Sequence, residues 1–455
     1  MSRMSPVDVS SSNRSAALVP VVAFTAVVVA ACLNPINGSL IVTAYPKIAS
    51  SFQIRYSVVS SLVMYFLAAT AAIQPIAGIL GDLFGCKRIF MLGIFGFCCA
   101  SCMAAFSETY DSLVMWRIIQ AIFSGTITAN SATLIHRVIP EKSISTYLGY
   151  LNAAMVGSTA LAFPLGGLLI QYFEWSALFW CSVPFGLLSL VLVSMFVPKD
   201  RGSEAKFSSF SLIGIPFIPL VYMLQKIIQG EAYVVPAITF ILVFVLVVGF
   251  VSSSEKAKSH LKDIASVDFV SGCAISFFSA ATIFSLMFMF PNWIPSVLEI
   301  SPVKTGAYLS ILTISMMLFS PYCGKLLDAK GERVVIYISQ ICIVLASFLL
   351  IYCLTKVSFV FAMVSMGVGL AITQIISQRA ALLSAPKAAQ ALAMGVFSTM
   401  RSGGSIFGNA LSAFMYSICA ADSIRAGNLL MVWIVAVFLF PILIIFFIRI
   451  HRSST

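Results

Sequence analysis

The chain has 455 residues, of which 60% are apolar and only 9% charged. Soluble domains run at about 45–50% apolar and about 25% charged, so a soluble fold of this size could not cover its surface. The formal net charge of +11 does not point to nucleic acid, because the basic residues sit in short loops between long apolar runs. Apolar runs near 20 residues recur along the chain, which predicts helices that cross a membrane; a β-barrel would show roughly 10-residue alternating segments instead. The eleven cysteines have no metal-ligand spacing, and most lie inside apolar runs as small apolar filler. No metal and no cofactor are expected.

Residues 1–17 are polar and Ser-rich and read as a disordered tail carrying Arg3 and Arg14. The first apolar run lacks a small-residue cleavage site and is expected to remain as a helix. Fourteen spans follow from the hydropathy pattern: 18–44, 57–80, 88–106, 110–133, 144–171, 177–197, 210–229, 233–252, 268–290, 304–324, 334–355, 358–378, 388–419 and 427–448. The seventh is the weakest, since Gln225, Lys226 and Gln229 interrupt its end, and the thirteenth is long enough to include an interfacial turn. One set of loops, with both termini, holds nineteen Lys/Arg, and the opposite set holds six. That bias places both termini in the cytoplasm, and an even number of spans requires them on one side. The domains expected are a cytoplasmic tail at 1–17, a six-helix bundle at 18–197, a linker at 198–267 with two inserted spans, and a second six-helix bundle at 268–455.

Two segments repeat. Gly78, Asp82, Gly85, Lys87 and Arg88 follow the second span, and Gly324, Asp328, Gly331 and Arg333 follow the tenth. Both read G-x-x-x-D-x-x-G and then turn basic. Repeated halves are a device of secondary transporters, which rock one half against the other. The glycines allow close backbone approach, and a carboxylate there can face helix N-termini across the two halves, so the pair reads as a gating loop. The plainer alternative is an ordinary tight loop with positive-inside charges.

These segments resemble the major facilitator superfamily over nearly the whole chain. Gly78, Leu80, Asp82, Gly85, Lys87 and Arg88 fit its loop signature. Leu113–Gln120, with Arg117 inside the membrane and Gln120 after it, is similar to its fourth-span motif, although Ala121 replaces the usual glycine. Leu33–Pro46, Glu174–Gly186 and Ser398–Gly408 resemble the first, sixth and thirteenth spans of the 14-span drug:proton antiporter branch. The resemblance implies an all-α polytopic protein with two six-helix bundles plus an inserted helix pair, embedded in a bacterial inner membrane. It implies export of small molecules in exchange for protons. Gly157, Pro164, Gly166 and Gly167 resemble the fifth-span antiporter motif imperfectly, with the proline displaced by one position and Ala162 where a glycine is expected. They supply small residues and a kink for a bending helix.

The sixteen Asp/Glu all fall outside the span cores, and Asn34 stands where the first-span motif usually carries aspartate. A cation exporter coupled to protons needs a titratable acid at depth. Three alternatives stay open: coupling uses another group such as Asp82, the substrate is not a cation, or transport is uncoupled. Arg117 and Arg401 are charges at membrane depth, which are costly there and face a cavity or a partner. With Asn34, Gln74, Gln120 and Asn152 they are the candidates for coupling or for lining a cavity; Asn37, Asn130, Asn292, Gln374, Gln378 and Asn409 are further polar residues at depth. The functional expectation is efflux of small amphiphilic compounds by alternating access; the alternative is a carrier of an anionic or zwitterionic metabolite. No nucleophile–base pair or metal set marks an enzyme. The partners expected are the lipid bilayer, a small-molecule substrate and protons, and not nucleic acid.

Overall fold

The computed structural model describes residues 6–54, 56–200, 202, 209–228, 234–253, 266–298, 302–352 and 355–418. Among them every regular element is helical. The first group comprises α1 (Pro6–Thr43), the short α2 (Tyr45–Ser51), α3 (Tyr56–Phe84), α4 (Cys86–Ala105), α5 (Tyr110–Val138), α6 (Ile144–Tyr172) and α7 (Ala177–Phe196). A 3-10 segment (Ser209–Gly214), α8 (Phe217–Ile228) and α9 (Val234–Ser253) come next. The second group is α10 (Val267–Leu298), α11 (Pro302–Lys330), α12 (Glu332–Tyr352), α13 (Lys356–Ser384) and α14 (Gln390–Ile418). Ten helices among the described residues are long and apolar enough to cross a membrane. The expected span 427–448, most of the loop 253–267 and residues 203–208 lie outside the described residues.

Two sequence expectations change. The helix α1 starts at Pro6, inside the stretch 1–17 read as a tail. Proline suits a first helical position, and adding residues to an existing helix is far easier than nucleating one. The stretch 210–229 is not one straight span. It breaks around Pro216 into the 3-10 segment and the 12-residue α8, which rises about 18 Å against a hydrocarbon core of about 30 Å. The interruption is at the start rather than at Gln225 and Lys226, because proline cannot continue the preceding hydrogen-bond ladder. In the thirteenth expected span, the interfacial turn falls at its beginning, where Lys387–Ala389 form a 3-10 turn before α14.

Packing separates two bundles. In the first, α1 packs on α6 and α7, α4 on α5 and α7, and α3 on α5. In the second, α10 packs on α13 and α14, and α11 and α12 both pack on α13. The bundles meet along two seams, α3 with α14 and α6 with α11. The helices begin where the sequence supplies caps: Thr109 accepts from the Ser112 N–H at 3.2 Å, and Thr355 forms a capping box with Ser358. Among the described residues, the inserted segment packs on the α3–α14 seam. A Cβ on Gly214 would stand 2.6 Å from the Ala72 carbonyl of α3, and one on Gly403 of α14 would stand 2.6 Å from the Phe217 ring.

Candidate functional site

Helices α3 and α11 end, and α6 and α14 begin, at the end of the molecule that carries the basic loops, called here the basic end. Asp82 lies in the last turn of α3 and is only 3% exposed. Its Oδ1 accepts from the Ala391 N–H at 3.1 Å and its Oδ2 from the Leu392 N–H at 2.8 Å. Those donors belong to the first turn of α14, where backbone N–H groups have no intrahelical acceptor. The carboxylate also sits at the positive end of that helix dipole. Asp328, in the last turn of α11, does the same for α6: its Oδ2 accepts from the Thr146 N–H at 2.9 Å and from Thr146 Oγ1 at 2.7 Å. Its Oδ1 is buried without a partner. Each motif copy therefore caps a helix of the other bundle.

The motif glycines make this reach sterically feasible. A Cβ on Gly78 would stand 2.2 Å from the Ala391 carbonyl oxygen, and one on Gly324 would stand 2.3 Å from that of Ser145. The reciprocal positions match: Gly395 against the Gln74 carbonyl at 2.3 Å and Gly149 against that of Ser320 at 2.5 Å. Main chain thus meets main chain at four crossings. Gly85 and Gly331 hold φ of 96° and 76°, the left-handed region that glycine occupies without penalty, and they separate α3 from α4 and α11 from α12.

The basic residues of the first copy divide. Arg88 is exposed. Lys87 is buried, and its Nζ donates to the Ser194 and Val197 carbonyls at 2.8 and 2.6 Å, capping the last turn of α7. The backbone N–H groups of Cys86 and Lys87 donate to Asp200, which also pairs with Arg137. In the second copy Glu332 lies 3.9 Å from Arg379; the side chain of Arg333 lies outside the described residues.

Four more bonds cross between the bundles. His136 Nδ1 lies 3.2 Å from Gln390 Oε1, and Asn152 donates to Gln378 Oε1 at 3.1 Å. Thr399 donates to the Ala71 carbonyl at 2.9 Å and Ser402 to Gln74 Oε1 at 3.4 Å. Among the described residues all polar contacts between bundles lie from the helix midpoints to the basic end. These contacts join the two bundles at the basic end.

Deeper in the first bundle, Arg117 is 0% exposed. Its Nη1 donates to Asn37 Oδ1 and to Gln120 Oε1, the latter at 2.7 Å. Gln120 donates to Ser101 Oγ at 2.6 Å and Asn37 to Ser182 Oγ at 3.3 Å. The guanidinium carbon lies 4.4 Å from the Phe66 ring centroid, a cation–π contact. Its Nε and Nη2 are buried without partners. Sequence reading offered Arg117, Gln120, Gln74 and Asn152 as cavity-lining groups. The structure seals all four: Arg117 and Gln120 inside one bundle, Gln74 and Asn152 in the contacts between bundles. For Arg117, neutral side chains take up one nitrogen of the guanidinium and an aromatic ring covers its face, inside the bundle rather than at a cavity. Asn34 is half-buried and donates to Thr128 Oγ1 at 3.2 Å, within the first bundle. Arg401, on α14, is half-buried with no side-chain partner among the described residues.

Helix α6 runs unbroken through Pro164. Gly157 and Gly166 pack closely against Met317 and Thr43, whereas Gly167 touches nothing within 4 Å. Gly404 and Gly408 press on the backbone of α10 at Phe277 and Ala281.

The sequence profile of the Major Facilitator Superfamily matches residues 27–409 and 272–455. The chain belongs to the major facilitator superfamily. It is an integral membrane transporter of that family, with the family's two-bundle helical fold. It is 26% identical over 426 residues to the uncharacterized MFS-type transporter YwoD of Bacillus subtilis, covering 91% of this chain and 93% of that one. It is 24% identical over 392 residues to the multidrug efflux pump LfrA of Mycolicibacterium smegmatis, covering 83% of this chain and 77% of that one. The fold is shared with the crystal structure of the human organic anion transporter MFSD10 (TETRAN) at a TM-score of 0.67 and 13% identity, over 93% of this chain and 99% of that one.

Proposed function

We propose that this transporter exports small amphiphilic compounds across a bacterial inner membrane by alternating access, as a member of the 14-span drug:proton antiporter branch. One observation carries the reading: Asp82 and Asp328 each cap a helix of the opposite bundle at the same end of the molecule. Such a latch can hold one access state and must be broken to reach the other. The Lys/Arg bias makes the basic end cytoplasmic, so the latched form is the one closed to the cytoplasm. The multidrug efflux pump among the relatives supports the substrate class. Coupling to protons in this reading uses Asp82, the more deeply buried of the two carboxylates that join the bundles, since the span cores carry no acid.

The test is efflux of a panel of amphiphilic compounds from liposomes holding the purified protein, with and without an imposed pH gradient. Export of several members, accelerated by a gradient acid outside the exporting face and slowed by Asp82→Asn, is the expected result. Flux equal to that of protein-free liposomes across the panel would sink the proposal. Flux indifferent to the gradient would remove the proton from it.

A further inference from the structure

The inserted segment opens with the 3-10 stretch Ser209–Gly214, and its first helix α8 is too short to cross a membrane alone. Both pack on α3 and on α14, the two helices of the first seam. The contacts reach main chain. A Cβ on Gly214 would stand 2.6 Å from the Ala72 carbonyl oxygen and 2.7 Å from that of Ala71, and the Phe217 ring lies on Gly403, where α14 has no side chain. Phe217 also packs against a buried pair that joins the bundles, Ala68 of α3 and Ile406 of α14. The Ala71 carbonyl accepts from the Thr399 hydroxyl of α14 at 2.9 Å. First bundle, second bundle and inserted segment therefore meet at one place, near the middle of both helices. Behind them α9 packs on the 3-10 stretch and on α8, and its Ile238, Ile241, Leu242 and Val245 are exposed, as residues facing lipid are.

Among the described residues the α6–α11 seam carries no such third element. Its polar contacts are those of Asp328 with Thr146 and, beside it, of Asn152 with Gln378. In hydrocarbon, helices are held together by packing and hydrogen bonds rather than by expulsion from water. A gap of about 1 Å forfeits up to about half of a close contact. Parting α3 from α14 must pull Phe217 off Gly403, or Gly214 off Ala72, besides breaking the latch bonds. Parting α6 from α11 breaks only the latch bonds and the packing of those two helices. A swing that keeps the first seam together and spreads the second avoids the extra loss.

We infer that the stretch Ser209–Phe217 is a strap across α3 and α14, which makes that seam the hinge and the α6–α11 seam the one that parts furthest when the basic end opens. The inference rests on the reading of the chain as an alternating-access carrier. It is tested by distances between spin labels in nanodiscs, at positions 88 and 387 across the first seam and 141 and 330 across the second. The open form is populated by Asp82→Asn combined with Asp328→Asn, which weakens the latch on both sides and leaves the strap intact.

With the strap intact, the distance across the second seam should grow at least about twice as much as that across the first, as a hinge motion requires. Phe217→Ala, which frees Gly403, and Gly214→Val, which drives the strap off the α3 backbone, should each bring the two increases close to equality. The ratio with the strap intact carries the test if either strap variant fails to fold. Equal growth at the two seams with the strap intact, or greater growth at the first, would overturn the inference. A ratio that survives both strap variants would overturn it too, since the asymmetry would then lie elsewhere. Failure of the two readings is distinguishable. No growth at either seam rejects alternating access at this end, and the strap with it; equal growth at both rejects the strap and leaves the alternating-access carrier.

Discussion

The two seams between the bundles are built alike in main chain and unlike in polar contacts. At both, a glycine of one helix lies against a carbonyl of the other, Gly78 on Ala391 and Gly324 on Ser145, at nearly equal distances. At the α3–α14 seam both oxygens of Asp82 take backbone N–H groups, and Thr399 and Ser402 add bonds toward the membrane centre. At the α6–α11 seam one oxygen of Asp328 does all the accepting and the other is buried with no partner. Among the described residues, the inserted segment packs on the first seam and not on the second. Repetition has thus fixed the steric plan, while the strength of the latch differs between its copies.

Five substitutions break or sharpen that comparison. All are read from the distance between spin labels in nanodiscs, at positions 88 and 387 for the first seam and 141 and 330 for the second. The largest effect is expected from Gly78→Val and Gly324→Val. A side chain driven into backbone cannot be absorbed by a rotamer change, so each should cost the latched form about 3 kcal/mol or more, equally at the two seams. A marked inequality would show that the main-chain symmetry is only apparent.

Next is Asp82→Asn, which replaces a charged double acceptor by a neutral single one. A loss of about 1–3 kcal/mol should lengthen the distance distribution at the first seam, with roughly ten- to hundredfold more of the open form. Asp328→Asn should do less, under about tenfold, because one amide oxygen can still accept from Thr146. Equal shifts for the two aspartates would erase the asymmetry. The smallest change is Thr399→Val, about 0.5–1 kcal/mol, visible at the first seam only.

Much of the fold was legible in the sequence. Most helices lie within a few residues of the apolar runs, because a membrane forces length and composition together. The repeated motif pointed to Asp82 and Asp328 for the same reason that the structure places them at the seams: a carboxylate beside small residues can reach a helix end. Their partners were not legible. Ala391, Leu392 and Thr146 contribute backbone N–H groups, and no side-chain identity announces a main-chain donor in the other half of a chain. Asp200, which caps α4 and pairs with Arg137, was missed likewise, since its partners lie far away in sequence. Arg117 was read as a charge that faces a cavity or a partner, and the partners themselves were not named. Its solvation by Asn37 and Gln120 depends on three helices meeting in one register, which hydropathy does not encode. His136, beyond the expected span 110–133, belongs to the end of α5 and meets Gln390 across the seam.

The four crossings of main chain on main chain have a thermodynamic consequence. Parting two backbones at glycine uncovers peptide groups and little hydrocarbon. Exposed apolar surface raises the heat capacity, and exposed polar surface lowers it. At Gly78, Gly149, Gly324 and Gly395 the apolar contribution is held small by the absence of side chains. The crossings themselves therefore add little heat capacity, and any curvature in a van 't Hoff plot of the two-state populations reports the apolar side chains of both bundles, among them Leu134, Leu148, Leu382 and Leu392, that share one buried cluster at this end.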